Sequence, residues 1–565
     1  MDKYEQEIVD LIRKETGKEL KLEQPTDRTM GDYALPCFPL AKELKKAPQI
    51  IAKELSEKIK PKGNIERIEA NGPYLNFFMK KENVAEDTLK KILKEKEDYG
   101  RKKKNNKTIL IEYPGPNTNK PLHLGHVRNM AIGYSFSRIL EALGNKTITV
   151  NVNNDRGIHI CKSMLAYKKW GKDDNPEKSK MKPDFLVGKY YVMFAKHAEK
   201  DPKLEEEAQT MLEKWEQGDK ETIALWKKMN KWAFDGFKET YKKFDVKFEK
   251  EYFESETYKN GKEIVLEGLK KGIFEKDETG AIIADLTSEG YEKKVLLRAN
   301  GTTVYITQDL YLAKAKYEDF KYDQSIYVVA TEQNYHFKVL FSVLKKLNYP
   351  FADKCHHLAY GMVNLTTGKM KSREGTVVDA DTLVDEIIAL AKEETSKRHK
   401  DLPKKELEKR ASQIGMAAIR FYLLKFDTIK DMLFDPKESI SLEGETGPYI
   451  QYVHARCCSV LKKAGIKATG NTDFGLLKEK QEQELIMTLN KFPETVKNSA
   501  EQYKPSIIAR YLIELCQSFN KFYQECPVIQ EDKELEKSRI ALVDCVRTVV
   551  SNGLWLLGIE SPKEM

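Results

Sequence analysis

The sequence lacks the cysteine patterns that mark metal-binding and redox proteins. Its eight cysteines are scattered, and no two are spaced as Cys-x-x-Cys, so neither a zinc knuckle nor a dithiol motif is indicated. Sparse, irregular cysteines are typical of a reducing compartment in which the thiols are buried. We therefore expect buried thiols and no structural metal.

Membrane-directing segments are also missing. The first residues, Met1 to Glu5, are polar and acidic, unlike a signal peptide. The most apolar stretch, residues 541–559, carries Asp544 and Arg547, which a bilayer-spanning helix accommodates only at a high cost in free energy. These features predict a soluble cytoplasmic protein that does not contact a membrane.

Neither sign of charge dominates the composition. Lysine and arginine total 97, and aspartate and glutamate total 88, which gives a formal net charge of +9 over 565 residues. So mild an excess permits a polyanionic partner without requiring one. The length exceeds what one hydrophobic core serves, and it favours about three to four domains.

The first region, residues 1–104, is predicted to be a small α+β domain. An apolar face at helical spacing begins it, and the strand Tyr74–Phe78 follows the turn Asn71–Pro73. The basic run at residues 101–107 then indicates a solvated linker.

The second region, residues 105–380, is predicted to be a Rossmann-like α/β core with a doubly wound parallel sheet. A strand, a loop, a helix that begins near His123 and a second strand form a βαβ unit. The mostly helical and polar residues 163–300 are predicted to be an insertion between the two halves of the sheet. The strands are predicted at Thr108–Tyr113, Lys146–Val152, Ser325–Ala330 and His356–Gly361.

The third region, residues 381–565, is helical in pattern almost throughout and is predicted to be an all-α bundle. One apolar stripe at helical spacing is assigned to the core rather than to a cofactor site. That stripe consists of Ile508, Leu512, Leu515, Phe519 and Phe522.

Two histidines mark the first candidate site. In His123-Leu124-Gly125-His126 they lie one turn apart at a helix N-terminus after a parallel strand, where free N–H groups and the helix dipole favour anions. Two imidazole donors there can hold a triphosphate, and Gly125 lets a ligand ring approach the backbone. A metal pair or two surface histidines are the alternatives for an isolated His-x-x-His.

A cationic loop is the second candidate site. The segment Gly368–Thr376 contains Lys369-Met370-Lys371-Ser372-Arg373 and follows the last predicted strand of the sheet. Cations on such a loop can close over phosphate charge that develops during a reaction and open again for product release. An exposed charged turn is the alternative.

Together, in this order and on these elements, the two motifs resemble the signatures of the class I aminoacyl-tRNA synthetases. The second is a degenerate Lys-Met-Ser-Lys-Ser in which Ser372 replaces the second lysine. Arginyl-tRNA synthetases with this loss carry a lysine just before the first signature, and Lys120 stands there. The resemblance implies that the catalytic residues are Lys120, His123, His126 and Lys369. It implies ATP binding by His123, Gly125, His126, Met362, Lys369 and Arg373.

The resemblance to the arginyl family extends over nearly the whole chain. Glu112–Pro121, Tyr305–Leu310 and Ala330–His336 are similar to the family's segments around the arginine pocket. A guanidinium presents a planar fork of donors, which requires a carboxylate and a flat wall. Asp309 and Tyr305 supply them, with a helix N-cap aspartate and a strand tyrosine as the alternatives. The implied arginine-binding residues are Glu112, Asn117, Tyr305, Asp309 and Gln333.

Both terminal regions resemble the family's tRNA-binding parts. Asn71–Asn76 is similar to the N-terminal domain that reads the tRNA elbow, and Glu445–Arg456 to the entry of the anticodon-binding bundle. Unpaired bases are bound by stacking and edge contacts, and a core role is the alternative for each aromatic residue. The implied tRNA-binding residues are Asn71, Tyr74, Asn76, Tyr449, Tyr452 and Met565.

One segment departs from the family pattern. Asn153–Ile160 stands where many relatives have Gly-Asp-Trp-Gly followed by Gln-Phe-Gly. Asp155 and Gly157 persist, whereas His159 replaces a glutamine, which leaves its role open.

The resemblance implies an arginine–tRNA ligase that uses ATP with Mg²⁺. The implied partners are tRNA(Arg), L-arginine and ATP, without DNA or a membrane, and the expected state is a monomer. Activation of arginine is implied to require bound tRNA. A synthetase for another amino acid, a small nucleotidylyltransferase and a non-catalytic tRNA-binding relative are the three alternatives.

Overall fold

The computed structural model describes residues 3–23, 25, 28–171, 173–365 and 378–565. The second predicted signature, with Lys369, Ser372 and Arg373, therefore lies outside the described residues. Within the described ranges the chain forms 22 α-helices and 13 β-strands. No helix in these ranges has both the length and the apolar character needed to cross a bilayer.

The N-terminal unit is an antiparallel three-stranded sheet packed on helices, which confirms the predicted α+β class. Its strands lie in the order β1-β3-β2. Gly72 has a φ of +55° in the turn between the last two strands, a conformation that glycine adopts without strain. The elements are α1 (Lys3–Thr16), β1 (Tyr33–Pro36), α2 (Phe38–Leu44), α3 (Pro48–Lys58), β2 (Ile65–Asn71), β3 (Tyr74–Met79) and α4 (Lys81–Glu95).

The middle region contains the central sheet, and the helices pack around it. Its first half consists of β4 (Thr108–Glu112), α5 (Leu124–Ala142), β5 (Lys146–Asn153), α6 (Ile158–Ala166), α7 (Pro176–Ser179), α8 (Pro183–Ala198), α9 (Lys203–Glu216), α10 (Lys220–Lys243) and β6 (Lys250–Phe253). Its second half consists of α11 (Glu254–Thr257), α12 (Gly261–Lys270), β7 (Glu275–Lys276), β8 (Ile282–Ala284), β9 (Lys294–Leu297), α13 (Tyr305–Phe320), β10 (Gln324–Ala330), α14 (Asn334–Lys346), β11 (Cys355–Tyr360) and β12 (Val363–Leu365).

The central sheet confirms the predicted doubly wound parallel architecture. Five strands lie in the order β11-β10-β4-β5-β6, and all four ladders are parallel. The chain winds from β4 toward one edge and from β10 toward the other, so the topology switches between these two neighbours. A crevice forms at the carboxyl ends of strands at such a switch point, and ligands of doubly wound folds bind there.

Residues 163–300 differ from the predicted helical insertion in two places. β6 pairs with β5 and is the edge strand of the central sheet. β7, β8 and β9 form a separate antiparallel sheet. These strands contain only two to four residues each, too few for alternating hydrophobicity to be recognised in the sequence.

The C-terminal region is the predicted helical bundle, with one short strand added. β13 pairs in parallel with β12 and so joins the bundle to the central region. The predicted apolar stripe of α21 is completely buried. The elements are α15 (Ala380–Arg398), α16 (Lys404–Leu424), β13 (Met432–Phe434), α17 (Pro436–Ser439), α18 (Gly447–Ala464), α19 (Lys480–Asn490), α20 (Phe492–Glu501), α21 (Ser506–Glu525) and α22 (Lys533–Leu556).

Helix α5 lies between the central sheet and the bundle. It contacts β4, β5 and β10 on one side and α16, α20 and α22 on the other. Ser135 Oγ donates to the carbonyl of Leu556 over 2.9 Å, and Arg138 Nη1 donates to that of Trp555 over 3.0 Å. A helix packed on both sides provides a rigid support for residues at its N-terminus.

Candidate active site

Reciprocal capping fixes the two histidines at the start of α5. His123 is the N-cap, and its Nδ1 accepts from the backbone N–H of Gly125 over 3.2 Å. The backbone N–H of His123 donates to Nδ1 of His126 over 3.1 Å, and the ring centres lie 3.9 Å apart. Because each Nδ1 accepts, each neutral ring carries its proton on Nε2. Nε2–H is therefore the donor that each histidine can offer to a ligand.

Both histidines are neutral at physiological pH. Burial, reinforced by the charge of Lys120, lowers the pKa of His123 to about 3. Burial, with His123 and Lys120 nearby, also lowers the pKa of His126 well below its ordinary value. Burial lowers the pKa of Lys120 as well. The arrangement offers two neutral donors beside one lysine, which suits a polyanionic ligand.

Arg128 ties α5 to the segment that contains Met362. This arginine is fully buried, and Nη1 donates to the carbonyls of Gly361 over 2.6 Å and Met362 over 3.2 Å. Nη2 donates to the carbonyls of Thr428 over 3.1 Å and Lys430 over 2.9 Å, between α16 and β13. The position of Met362, a predicted ATP contact, is thereby coupled to the helix that carries the histidines.

Asp379 connects the histidine pair to α15. It is the N-cap of α15 and forms a β-bridge with His123, through which Leu124 N–H donates to the carbonyl of Val378 over 3.2 Å. Burial, then the charge of Asp381, raises the pKa of Asp379 to about 6, against the effect of Lys182. Asp379 and Lys120 also line a cavity of about 510 Å³ against α8.

Glu112, a predicted arginine contact, already has a basic partner. It ends β4 and forms an ion pair with Lys316 of α13. Lys316 is 1% exposed, and its Nζ also lies 4.1 Å from the ring centre of Tyr327. Because the buried ammonium of Lys316 already balances the charge of Glu112, a substrate that contacts Glu112 must share this carboxylate with Lys316.

Asp309 likewise has a basic partner, but a more accessible one. His336, in the first turn of α14, donates from Nε2 to Oδ2 of Asp309 over 2.6 Å. The side chains are 35% exposed for Asp309 and 22% for His336. Tyr305, one turn before Asp309 in α13, is 81% exposed, so the predicted flat wall stands open in this structure.

The remaining predicted arginine contacts lie at the switch point. Asn117 follows β4 and forms a bridge with Asn154, and Gln333 follows β10 as the N-cap of α14. Both residues are exposed. Since β4 and β10 are neighbours in the sheet, the fold brings these two polar side chains to one edge.

Two further carboxylates follow the neighbouring strands β5 and β6. Asp155 is buried and accepts from the backbone N–H of Ser255 over 2.8 Å and from its Oγ over 2.7 Å. Burial raises the pKa of Glu254 to about 7; Arg156, 3.7 Å away, opposes the shift, whereas Asp155 and Asp309 reinforce it. The crevice is thus rich in acidic groups, as a site for a cationic substrate requires.

Sequence reasoning missed several polar residues around this crevice. They are Arg128, Glu254, Lys316, His336 and Asp379. Helical spacing offered a signal for one of them, because Lys316 lies two turns after Asp309 in α13 and therefore on the same face. The others act through tertiary contacts that no local pattern records.

The predicted tRNA contacts of the N-terminal unit lie at its hairpin, apart from the crevice. Asn71 is exposed, and the half-buried ring of Tyr74 lies 5.9 Å from that of Phe38, which is itself exposed. Asn76 is only 4% exposed. A direct contact with RNA is therefore open to Asn71 and Tyr74 but not to Asn76 in this conformation.

The predicted contacts of the bundle surround a large cavity. Tyr452 and Met565 line a space of about 1200 Å³ together with Arg456 and Tyr523. Arg456 donates to the hydroxyl of Tyr452 over 2.7 Å and lies over its ring at 4.7 Å. Tyr449 lines an adjoining cavity of about 800 Å³ with Tyr452. Exposed aromatic rings beside an arginine are typical of surfaces that bind unpaired bases.

Three family profiles together match most of the chain. The profile described as "Arginyl tRNA synthetase N terminal domain" matches residues 2–79. The one described as "tRNA synthetases class I (R), catalytic domain" matches residues 88–436, and the "DALR anticodon binding domain" profile matches residues 450–565.

Individual relatives agree with these profiles. The arginine–tRNA ligase of Treponema denticola is 46% identical over 555 residues, which cover 96% of this chain and 94% of the relative. The arginine–tRNA ligase of Bacteroides thetaiotaomicron is 44% identical over 576 residues, which cover 97% of this chain and 96% of the relative. The structure of Thermus thermophilus arginyl-tRNA synthetase aligns with a TM-score of 0.87 at 27% identity, covering 100% of this chain and 99% of the other.

Proposed function

This chain belongs to the class I arginyl-tRNA synthetases, and from that membership we propose that it activates arginine with ATP and transfers it to tRNA(Arg). The observation that carries the proposal is the juxtaposition of a neutral histidine pair with an acidic crevice at one switch point. The histidine pair suits a triphosphate, and the acidic crevice suits a cationic amino acid. We propose a monomer as the active unit.

ATP is placed with its phosphates at the N-terminus of α5. Nε2–H of His123 and of His126 donates to phosphate oxygens, and Lys120 balances their charge. Gly125 leaves room for the nucleoside, and Met362 contacts it from the segment held by Arg128. Mg²⁺ enters as part of the ATP substrate, bound by the phosphates. Lys369 and Arg373 complete the proposed ATP contacts from outside the described residues.

Arginine is placed with its guanidinium at Asp309 and with Tyr305 as the wall that covers it. Asn117 and Gln333 provide further polar contacts, and the Glu112–Lys316 pair lies beside them. The arginine carboxylate then attacks the α-phosphate in line, and pyrophosphate leaves. The protein accelerates this step by positioning the reactants and by stabilising the developing charge, not by forming a covalent bond to substrate.

The affinity for arginine is expected to rise with pH through neutrality. Glu254 has a pKa of about 7, so it is mostly protonated at pH 6 and mostly ionised at pH 8, with Asp155, Asp309 and Arg156 around it. Only the ionised form attracts a cation. The KM for arginine is therefore expected to fall about tenfold between pH 6 and pH 8, measured by ATP–pyrophosphate exchange with tRNA present and with the KM for ATP followed in parallel. If Glu254→Gln kept the same pH dependence, Glu254 would not be its source.

For the transfer step, the tRNA is proposed to contact both the N-terminal unit and the C-terminal bundle. Its elbow is placed at Asn71 and Tyr74, and its anticodon at Tyr449, Tyr452 and Met565. The exposed aromatic residues and the cavity around Tyr452 support this placement. Asn76 is left out because its side chain is buried.

Removal of the Tyr452 ring is expected to weaken tRNA binding selectively. A stacked base contributes about 1 to 3 kcal/mol, so Tyr452→Ala should raise the KM for tRNA by about tenfold or more. The KM values for arginine and ATP should stay unchanged, because the cavity lies apart from the crevice. Aminoacylation kinetics with each substrate varied in turn check this. Lys537→Ala, an exposed change on α22, serves as the control; an equal effect in both variants would contradict the assignment.

The activity is tested by ATP–pyrophosphate exchange with each of the twenty amino acids, with and without tRNA. Arginine alone is expected to support exchange, and only when tRNA is present. Exchange with another amino acid would favour the alternative of a different synthetase. Equal rates with and without tRNA would contradict the implied tRNA requirement while leaving the arginine assignment intact.

A further inference from the structure

We propose that His336 is a positioning residue that orients Asp309 for the guanidinium of arginine. The proposal rests on the function proposed above, in which Asp309 is the guanidinium acceptor. The segment Ala330–His336 resembles a family segment, but the resemblance assigns no role to His336 itself. Its contact with Asp309 joins α14 to α13 across the mouth of the crevice.

The direction of the hydrogen bond follows from the chemistry of the two groups. An ionised carboxylate accepts only, so the proton lies on Nε2 of His336, 2.6 Å from Oδ2 of Asp309. One oxygen of Asp309 thus has a fixed partner inside the protein. The carboxylate plane is set by that bond, and the remaining lone pairs are left for a ligand.

The imidazole is itself held in place by aromatic packing. Its ring lies edge-on to Phe337, 5.6 Å between centres, and Phe337 stacks on His357 of β11 at 4.4 Å. His357 in turn bonds through Nε2 to the carbonyl of Val329, over 3.0 Å. His336 therefore links the rigid sheet edge to the carboxylate of Asp309, which stays about one-third exposed with His336 in place.

The Asp309–His336 pair differs from the Glu112–Lys316 pair in its access to substrate. Lys316 is buried and gives Glu112 a permanent counterion. His336 remains partly exposed at the crevice, so its bond to Asp309 fixes direction and still leaves the carboxylate accessible. A guanidinium is recognised by two parallel N–H···O bonds, which demand that the carboxylate plane be set before binding.

Kinetics of ATP–pyrophosphate exchange, measured with tRNA present, test the proposal with two substitutions at one position. His336→Ala removes the donor and is expected to raise the KM for arginine about tenfold, with kcat and the KM for ATP unchanged. His336→Gln places an uncharged N–H donor near Nε2 and is expected to restore most of the affinity. Lys345→Ala, an exposed change later on the same helix, is the control and should leave the KM for arginine unchanged.

A double-mutant cycle separates positioning from a general structural effect. If His336 acts through Asp309, His336→Ala should add nothing to the arginine affinity already lost in Asp309→Asn. Additive losses, an unchanged KM for arginine in His336→Ala, or an equal rise in the KM for ATP would each overturn the proposal. A glutamine variant as weak as the alanine variant would overturn it too. Absence of arginine-dependent exchange in the unaltered protein, with tRNA present, would instead reject the proposed function.

Discussion

Replacement of His126 by asparagine is expected to slow arginine-dependent ATP–pyrophosphate exchange, measured with tRNA present, by about 100- to 1000-fold. Asparagine carries an oxygen near the position of Nδ1, so it can still accept from the backbone N–H of His123. It has no donor near Nε2. The substitution thus removes the proposed phosphate contact while it preserves the helix cap, and thermal unfolding should be nearly unchanged.

Glutamine at the same position is the matched control. Its amide N–H lies near Nε2, but it offers no acceptor at the Nδ1 position, so the cap is lost at a cost of about 1 kcal/mol in the free energy of unfolding. His126→Gln should therefore be less stable than His126→Asn and more active. If the two variants lost activity in proportion to their stability, the histidine would support the helix rather than the phosphates.

Lys120→Ala is expected to lower the exchange rate by about 100-fold, because it removes the lysine that balances the phosphates beside two neutral histidines. The degenerate second signature suggests a specific substitution that should rescue the activity of Lys120→Ala. Ser372 stands where the family pattern has a lysine, so Ser372→Lys introduced into Lys120→Ala should restore a large part of the activity. Exchange kinetics of the single and double variants, measured with tRNA present, check both effects.

Lys189→Ala is the control for Lys120, since Lys189 lines the same cavity but carries no proposed phosphate contact. It should retain the rate of the unaltered protein. Full activity of Lys120→Ala would remove the explanation of the degenerate signature. A rate for the double variant no higher than that of Lys120→Ala would show that the two positions do not substitute for each other.

The parts of the fold that sequence predicted well are those with strong local patterns. The βαβ unit around His123 and the apolar stripe of α21 follow from hydrophobic patterns, because long buried elements repeat their apolar residues regularly. The strand β6 and the sheet of β7, β8 and β9 could not be predicted in this way, since strands of two to four residues are too short to show a period. β6 is fixed as a strand by its pairing with β5 rather than by its own sequence.

The candidate site shows the same division between local and tertiary information. The motif around His123 and His126 was visible because its capping bonds join residues two and three positions apart. The partners of Glu112 and Asp309 lie 204 and 27 positions away. A basic residue so distant in sequence becomes a partner only when the sheet and its helices are assembled.

Charging of tRNA by radiolabelled arginine tests the central claim most directly. Total tRNA is incubated with ATP, the protein and arginine, lysine or citrulline in turn, and acid-precipitable label is measured. Arginine is expected to be attached to tRNA, and tRNA whose terminal ribose has been oxidised by periodate should accept none. Attachment of lysine or citrulline at a comparable rate, or no attachment of arginine by protein that binds both ATP and tRNA, would contradict the account.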